Sequence, residues 1–397
     1  MPKKIISVVL LLCTFSVFGQ EVKEVSLDDL IVLAKENNAG LKANSLEIQQ
    51  AETNVKTAFT FDKTYVYYSL DQNNLAANNE PLRVFGVQQD FRFPTVYFSE
   101  KKVRNAEKAL ISSKFSIEEK ALTKNVTASF YRYQIANKKA SLYQKLDSLY
   151  TDFSKMATRR FELGETNYLE KITAASKQKR IHLAYAEALK NAQQAYENIV
   201  KFVQAEDSLQ IQKTPFLKVA RTSIAIDKSA ELTYYEQRIS LSEASRSLEK
   251  QKLLPDISIN YFQGSNPQLN DNLYGYQFGL KIPLLFGGQA AKIKAAKIAE
   301  EIAKEEAVEY ETQLKSSYKT LDLQLIQLEK SLTYFEQEGA KLSDEILKTA
   351  QGSFKNGEID FYQYIQSLES AYEVKLDYLD KLEEYNQTVI TINYLTL

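Results

Sequence analysis

Residues able to carry out chemistry are scarce in this chain, and they do not converge. Its 397 residues include one histidine, His182, and one cysteine, Cys13. A nucleophile needs an adjacent base, and a metal centre needs several ligands at set spacings. His182 has only Arg180 close to it in a helix-forming stretch, so it reads as a surface or packing residue. No phosphate-cradling Gly loop and no His/carboxylate cluster at ligand spacing occurs. The sequence therefore predicts no enzyme, no cofactor and no metal site. The many Glu and Lys residues read as solvated helix faces with partners at i,i+4. Basic and acidic residues nearly cancel, 50 against 51, which gives no electrostatic footprint for nucleic acid. The 25 Tyr and 20 Phe residues argue against disorder, which goes with few aromatics.

The first residues read as an address rather than as structure. Lys3 and Lys4 precede the mostly apolar run 5–17, which is too short to span a bilayer as a helix. Gly19 is a small residue suited to cleavage. Residues 1–19 are expected to be a secretory signal peptide, and Cys13 leaves with it. A lipid-modified cysteine needs a small residue before it, and Leu12 is not small, so acylation is the disfavoured alternative. The mature chain then has no thiol, which suits an oxidising compartment.

Two halves of the chain share one plan. Phe85-Gly86-Val87-Gln88-Gln89-Asp90-Phe91-Arg92-Phe93-Pro94 precedes a long helical run and Phe161-Glu162-Leu163-Gly164-Glu165. Phe278-Gly279-Leu280-Lys281-Ile282-Pro283 precedes another and Phe354-Lys355-Asn356-Gly357-Glu358. Pro94 and Pro283 lie 189 positions apart, and Gly164 and Gly357 lie 193 apart. Such self-similarity marks a repeat architecture. We divide the chain into the signal peptide 1–19, a first repeat 20–204, an irregular linker or equatorial segment 205–228 and a second repeat 229–397.

Neither Gly nor Pro interrupts residues 95–163. A continuous helix of that length would reach roughly 100 Å at 1.5 Å per residue. Leu142, Leu146, Leu149, Phe153 and Met156 step by fours and threes, as do Leu321, Leu325, Leu328, Leu332 and Phe335. That spacing keeps one apolar seam against a partner helix, as in a coiled coil. One helix is expected to start at the capping-box-like Ser26-Leu27-Asp28-Asp29 and continue to about Ala58, and another to cover about 229–252.

Strands show by alternation. Phe85, Val87, Phe91 and Phe93 share one face of 84–93, and Tyr274, Tyr276, Phe278 and Leu280 share one face of 274–282. Residues 64–70 and 257–261 supply a partner strand in each half, across the polar loops 71–81 and 265–272. Four strands with an aromatic face need cover from helices or from lipid. The strands match the 9–11 residues of a transmembrane strand, and aromatics suit an interfacial girdle. Four strands cannot close a conducting barrel, and open edges cannot sit in lipid, so other copies must complete it. The alternative is a soluble α+β protein with a surface sheet.

These features together resemble the TolC-type outer-membrane efflux proteins over the whole mature chain. The carrying residues are Leu30-Ile31-Val32-Leu33-Ala34-Lys35-Glu36-Asn37-Asn38-Ala39-Gly40-Leu41-Lys42-Ala43, Ile282-Pro283-Leu284-Leu285-Phe286-Gly287-Gly288, and the turns at Phe161/Gly164 and Phe354/Gly357. The resemblance implies a mainly α fold with membrane β. A long coiled-coil α-helical barrel would continue from a twelve-stranded β-barrel, to which each chain of a homotrimer gives four strands. It implies a passive duct in the outer membrane reaching into the periplasm, where an adaptor protein links it to an inner-membrane transporter of the RND type. Phe161, Gly164, Phe354 and Gly357 would be the adaptor-facing tip. Phe85, Val87, Phe91, Phe93, Tyr274, Tyr276, Phe278 and Leu280 would face lipid.

One family feature departs. The tip aspartates of well-known members fall at Gln363 and Gln366 here, with Asp360 and Glu369 a turn or less away as substitutes. Rings of carboxylates favour cations, so the gate candidates Asp360, Gln363, Gln366 and Glu369 differ in charge from the family pattern. A periplasmic adaptor or coiled-coil scaffold, or the exit duct of a protein secretion system, are the alternatives. The cargo class, whether drug, metal cation or protein, stays open.

Overall fold

The computed structural model describes residues 24–75, 81–205, 209–215, 217–222, 229–266 and 269–395. The signal-peptide segment with Cys13, and parts of 205–228, lie outside the described residues. The order is α1 (Leu27–Asn37), α2 (Ala39–Lys56), β1 (Tyr65–Leu75), β2 (Pro81–Phe91), α3 (Pro94–Glu162), α4 (Tyr168–Val203), α5 (Ala230–Gln251), β3 (Asp256–Asn266), β4 (Leu269–Lys281), α6 (Gly287–Tyr334), α7 (Ala340–Lys355) and α8 (Phe361–Asn393). A π-turn, Phe335–Gly339, joins α6 to α7. Helix, hairpin and helical hairpin thus recur in both halves.

The helix starts follow local chemistry. Ser26 and Asp29 form a reciprocal capping box, which satisfies two of the orphan amides of α1. The single helix expected through Ala58 is instead broken at Asn38. Asn38 Oδ1 accepts the Leu41 N–H at 3.1 Å, so Asn38 caps α2. Its Nδ2 donates to the Phe202 carbonyl at 3.2 Å, and Gln204 Oε1 accepts the Ala39 N–H at 2.8 Å. Contacts with the end of α4 add to that local cap and hold the break in place. Pro94 occupies the first turn of α3, where its missing N–H costs nothing.

α3 runs 69 residues without interruption. In the second repeat the same length is made by 48 residues of α6, 5 of the π-turn and 16 of α7. The four positions by which the two offsets differ therefore lie before the helix, in the non-helical stretch 283–286.

Helices pack along their lengths, and the apolar core is a series of patches rather than one centre. Near the tip, Leu146, Tyr150, Phe153 and Ala157 of α3 meet Ala174 and Ile181 of α4 and Phe361, Tyr364 and Ile365 of α8. Farther along, Leu325, Leu328 and Leu332 of α6 meet Leu379, Leu382 and Val389 of α8. Leu30 and Ala34 of α1 pack with Val126, Phe130 and Ile199. Val96 and Val103 pack with Leu248 of α5. Full burial of each such side chain contributes about 1.5–3 kcal/mol. The coiled-coil seam read from the sequence is buried at Leu146 and Phe153 but ends before Met156, which is exposed.

The sheet has the order β1-β2-β3-β4, antiparallel throughout. The strands extend past the alternating segments into the Asn-rich regions expected to be loops, since ladder hydrogen bonds satisfy polar residues as well as apolar ones. The described parts of the linker hold no helix. Ile211 makes a parallel bridge with Val25, and two α8 side chains fix the rest. Asn386 Oδ1 accepts from Val219 N at 2.9 Å and its Nδ2 donates to Leu217 O at 2.5 Å. Asn393, seven residues on, does the same for Thr222 N and Ala220 O, both at 2.9 Å. Among the described residues, no helix is long and apolar enough to cross a membrane.

Candidate channel wall and helical tip

Register divides the sheet into two unlike faces. Residues paired across antiparallel strands point to the same side. The rows Tyr68–Phe85–Gln263–Tyr274, Val66–Val87–Tyr261–Tyr276, Gln89–Ile259–Phe278 and Phe91–Ile257–Leu280 make one face. It is aromatic and aliphatic, interrupted by Gln263 and Gln89 and, in the row Leu70–Arg83–Ser265 farthest from the helices, by Arg83 and Ser265. Tyr274, Tyr276, Phe278 and Leu280 are all exposed on it, Phe278 to 75 %. Seven of the eight expected lipid-facing residues share this face. Phe93 does not belong to the sheet. β2 ends at Phe91, and Phe93 is the residue before α3, packed against the Val96/Val103/Leu248 cluster.

The opposite face carries Tyr65, Gln88, Asn260 and Gln277 in one row, and Asp90, Ser258 and Gly279 in the next toward the helices. Lys281 is ion-paired with Asp90 there. The strand-to-helix junction is ringed by aromatics. Phe61 meets Phe91 at 5.6 Å and Tyr97 at 5.3 Å, and Phe59 meets Phe98 at 5.6 Å. In the second repeat the junction is the apolar stretch 282–286, in which Leu285 is 93 % exposed.

At the far end the two turns are built alike. Gly164 and Gly357 both have φ +74, the left-handed conformation that only Gly adopts without strain. Gly164 N donates to Phe161 O and Glu165 N to Arg160 O. Gly357 N donates to Phe354 O and Glu358 N to Ser353 O. Both are Schellman closures of the preceding helix. Phe161 packs on Tyr168 at 5.7 Å under Lys171, and Phe354 stacks on Tyr364 at 4.6 Å. The two Phe rings therefore brace the hairpins. The surface left open at the first tip is Leu163, Tyr168 and Leu169, all exposed and not picked out by sequence reading.

The four gate candidates separate into two kinds. Gln363 and Gln366 lie on the exposed face of α8. Asp360 caps α8, accepting from Gln363 N at 2.8 Å while Gln363 Oε1 accepts from Asp360 N at 3.1 Å. Glu369 is held by Lys177 at 2.6 Å and Arg180 at 3.0 Å, both on α4. Beside it the Tyr150 hydroxyl is buried, and burial together with the Glu369 charge pushes its pKa above the usual tyrosine range. The two carboxylates are thus engaged in a cap and a clamp. Carboxylates do follow farther along the same exposed face, at Glu373, Asp377, Asp380 and Glu384. His182 contacts Asp147 at 3.2 Å across α3 and α4. Among the described residues, no group of three or more His, Cys, Asp or Glu side chains could hold a metal ion.

No protein-family profile and no curated protein matches the sequence. Solved structures do match. A membrane protein from Pseudomonas aeruginosa superimposes with a TM-score of 0.79 at 16% identity, covering 93% of this chain and 90% of that one. CusC, described in terms of transmembrane channel formation, gives 0.78 at 14% identity, covering 93% and 92%. The CmeC outer membrane channel of Campylobacter jejuni gives 0.75 at 13% identity, covering 93% and 85%. With its four-stranded sheet, paired long helices and repeated tip turns, the chain has the fold of the TolC-type outer-membrane efflux channels.

Proposed function

We propose that this protein is the outer-membrane channel of a tripartite efflux system. It is a passive, trimeric duct that receives cargo from a periplasmic adaptor and an inner-membrane transporter of the RND type. The observation that carries this reading is the sheet. It has an exposed apolar face, a polar face and two outer strands, β1 and β4, that have no neighbour on their far sides among the described residues. Lipid tolerates no open strand edge, so a membrane-spanning form needs β4 of one copy beside β1 of the next. Three copies supply twelve strands, with the polar face turned inward. The long helices continue that wall into the periplasm for roughly 100 Å. The exposed apolar residues at the Gly164 tip support a docking role for that end.

The deciding experiment is extraction and mass. The mature protein should fractionate with the outer membrane, need detergent, and run as three chains. A detergent-free monomer would favour the scaffold reading. A deletion-strain panel of metals against dyes and antibiotics then assigns the cargo class, and crosslinking near Gly164 and Gly357 captures the adaptor. No sensitivity in either arm, with a secretion apparatus crosslinked at the tips, would make it a protein-export duct instead.

A further inference from the structure

The polar face of the sheet changes character away from the helices: its row Ser69–Val84–Gly264–Leu273 is partly apolar, and the row between that one and Gln88 pairs aromatic rings with glycines. Tyr67, Gly86, Phe262 and Gly275 stand opposite one another across all four strands. A Cβ placed on Gly86 would come within 2.2 Å of the end of the Tyr67 ring, and one on Gly275 within 2.4 Å of the end of the Phe262 ring, closer than atoms can approach. Each ring therefore lies flat over the glycine of the next strand instead of standing off the sheet. Both rings are half-buried for that reason, although they sit on the open face. Tyr67 is held further by Asn260, whose Nδ2 donates to the Tyr67 hydroxyl at 3.1 Å.

The device occurs in both repeats at equivalent positions. Tyr65 pairs with Gln88 and Asn260 with Gln277, which aligns the hairpins and makes Tyr67 the counterpart of Phe262 and Gly86 the counterpart of Gly275. Neighbouring positions have diverged, since Tyr65 corresponds to Asn260 and Asp90 to Gly279. Aromatic over glycine is kept in both halves.

We propose that Gly86 and Gly275 set the bore of the duct. Each is a seat that holds an aromatic ring against the lumen wall. The proposal rests on the trimeric channel reading. Twelve strands about 4.8 Å apart and tilted about 40° close at a backbone radius of about 12 Å. A trimer carries six of these rings, three at each of two levels about 6 Å apart, because a row across strands tilted about 40° climbs along the axis. Lying flat they leave that bore open; standing radially they obstruct most of it. An alanine at either seat leaves the ring one free direction, into the lumen, because the wall is occupied.

The test is size-selective labelling from outside intact cells. Gln277→Cys lies one row nearer the helices than the rings, on the same face, so a reagent entering from outside must pass them. The parent chain, whose one cysteine is Cys13, sets the background. The probes are N-ethylmaleimide and a graded series of polyethylene-glycol maleimides. In Gly86→Ala/Gly275→Ala the largest maleimides should stop reacting while N-ethylmaleimide still does, which also reports a folded barrel. Adding Tyr67→Ala and Phe262→Ala should restore the large probes. The single variants Gly86→Ala and Gly275→Ala are read the same way should the double variant not assemble. An unchanged size limit in the glycine variants overturns the proposal, as does a reduced limit that ring removal fails to restore. If Gln277→Cys does not react even with N-ethylmaleimide while Phe278→Cys does, the polar face is not the lumen, and the duct reading falls with the proposal.

Discussion

Glu369 on α8 accepts from Lys177 on α4 at 2.6 Å, and Arg180 closes on the same carboxylate from one turn away. The clamp ties the returning helix of the second repeat to that of the first, close to the tip. Both charges are partly screened, so the clamp contributes about 1 kcal/mol. That is enough to bias a two-state tip without holding the fold together. Glu369→Gln should leave assembly intact and raise the open probability of the purified trimer in planar bilayers. Unchanged gating in Glu369→Gln would show that α8 is held at the tip by packing of Phe361 and Tyr364 alone.

The tip glycines can be tested by conformation rather than by bulk. Nothing lies within 4 Å of a Cβ at Gly164 or Gly357, so any penalty there is backbone strain. Gly357→Ala should cost about 1–2 kcal/mol, and Gly357→Asn less, because Asn visits the left-handed region more readily. Thermal melting of the two variants checks the order. Equal melting temperatures would mean that the turn has relaxed to another closure.

Much of this architecture is legible locally. Strand faces show because apolar and polar sides alternate at a two-residue period, and Gly164 and Gly357 show because only a left-handed position demands Gly between two helices. The capping box at Asp360 is readable too, since Asp followed three residues later by Gln is such a signature. Asn38 caps α2 locally but is also held by Phe202 and Gln204, and the clamp on Glu369 depends on Lys177, 192 residues away, so no local pattern reports those distant contacts. The offsets revealed four extra residues in the second repeat but not that they form the exposed stretch 283–286. Apolar alternation understates the strand ends because the polar ladder continues where the alternation stops.

Asn386 and Asn393 should govern the linker. Asn386→Leu would leave the Val219 N–H and the Leu217 carbonyl without their partner in a buried site, at about 1–3 kcal/mol for each group. Much of that loss should appear locally, as release of 209–222 from α8. Limited proteolysis should then cut the 205–228 segment faster in Asn386→Leu and Asn393→Leu than in the parent. Equal cutting rates would show that the bridge between Ile211 and Val25 is sufficient.

Tyr150 makes a prediction about alkaline conditions. Its folded pKa is raised, first by burial and then by the Glu369 charge, so the neutral form is the one the fold accommodates. A raised folded pKa gives stability that is complete below the unfolded value, near 10, and is lost as pH climbs through the folded value. Tyr150→Phe removes the titrating group. Its melting temperature in detergent should fall less than that of the parent as pH rises above about 10, with little difference at pH 7. Parallel pH curves would remove Tyr150 from the alkaline response.

Adjacent residues on β4 separate the two faces of the wall. Tyr276 lies on the apolar face, opposite Tyr261, and Gln277 lies on the polar face, opposite Asn260. An arginine facing the bilayer midplane costs about 2–4 kcal/mol, and an arginine facing an aqueous lumen costs little. In the proposed trimer the penalty recurs three times. Tyr276→Arg should therefore deplete assembled trimer from the outer membrane, and Gln277→Arg should not. The contrast depends on orientation and not on the charge itself, because both variants add the same cation at neighbouring positions. Equal assembly of the two would mean that the apolar face is covered by protein rather than lipid, and depletion by Gln277→Arg alone would turn the sheet inside out.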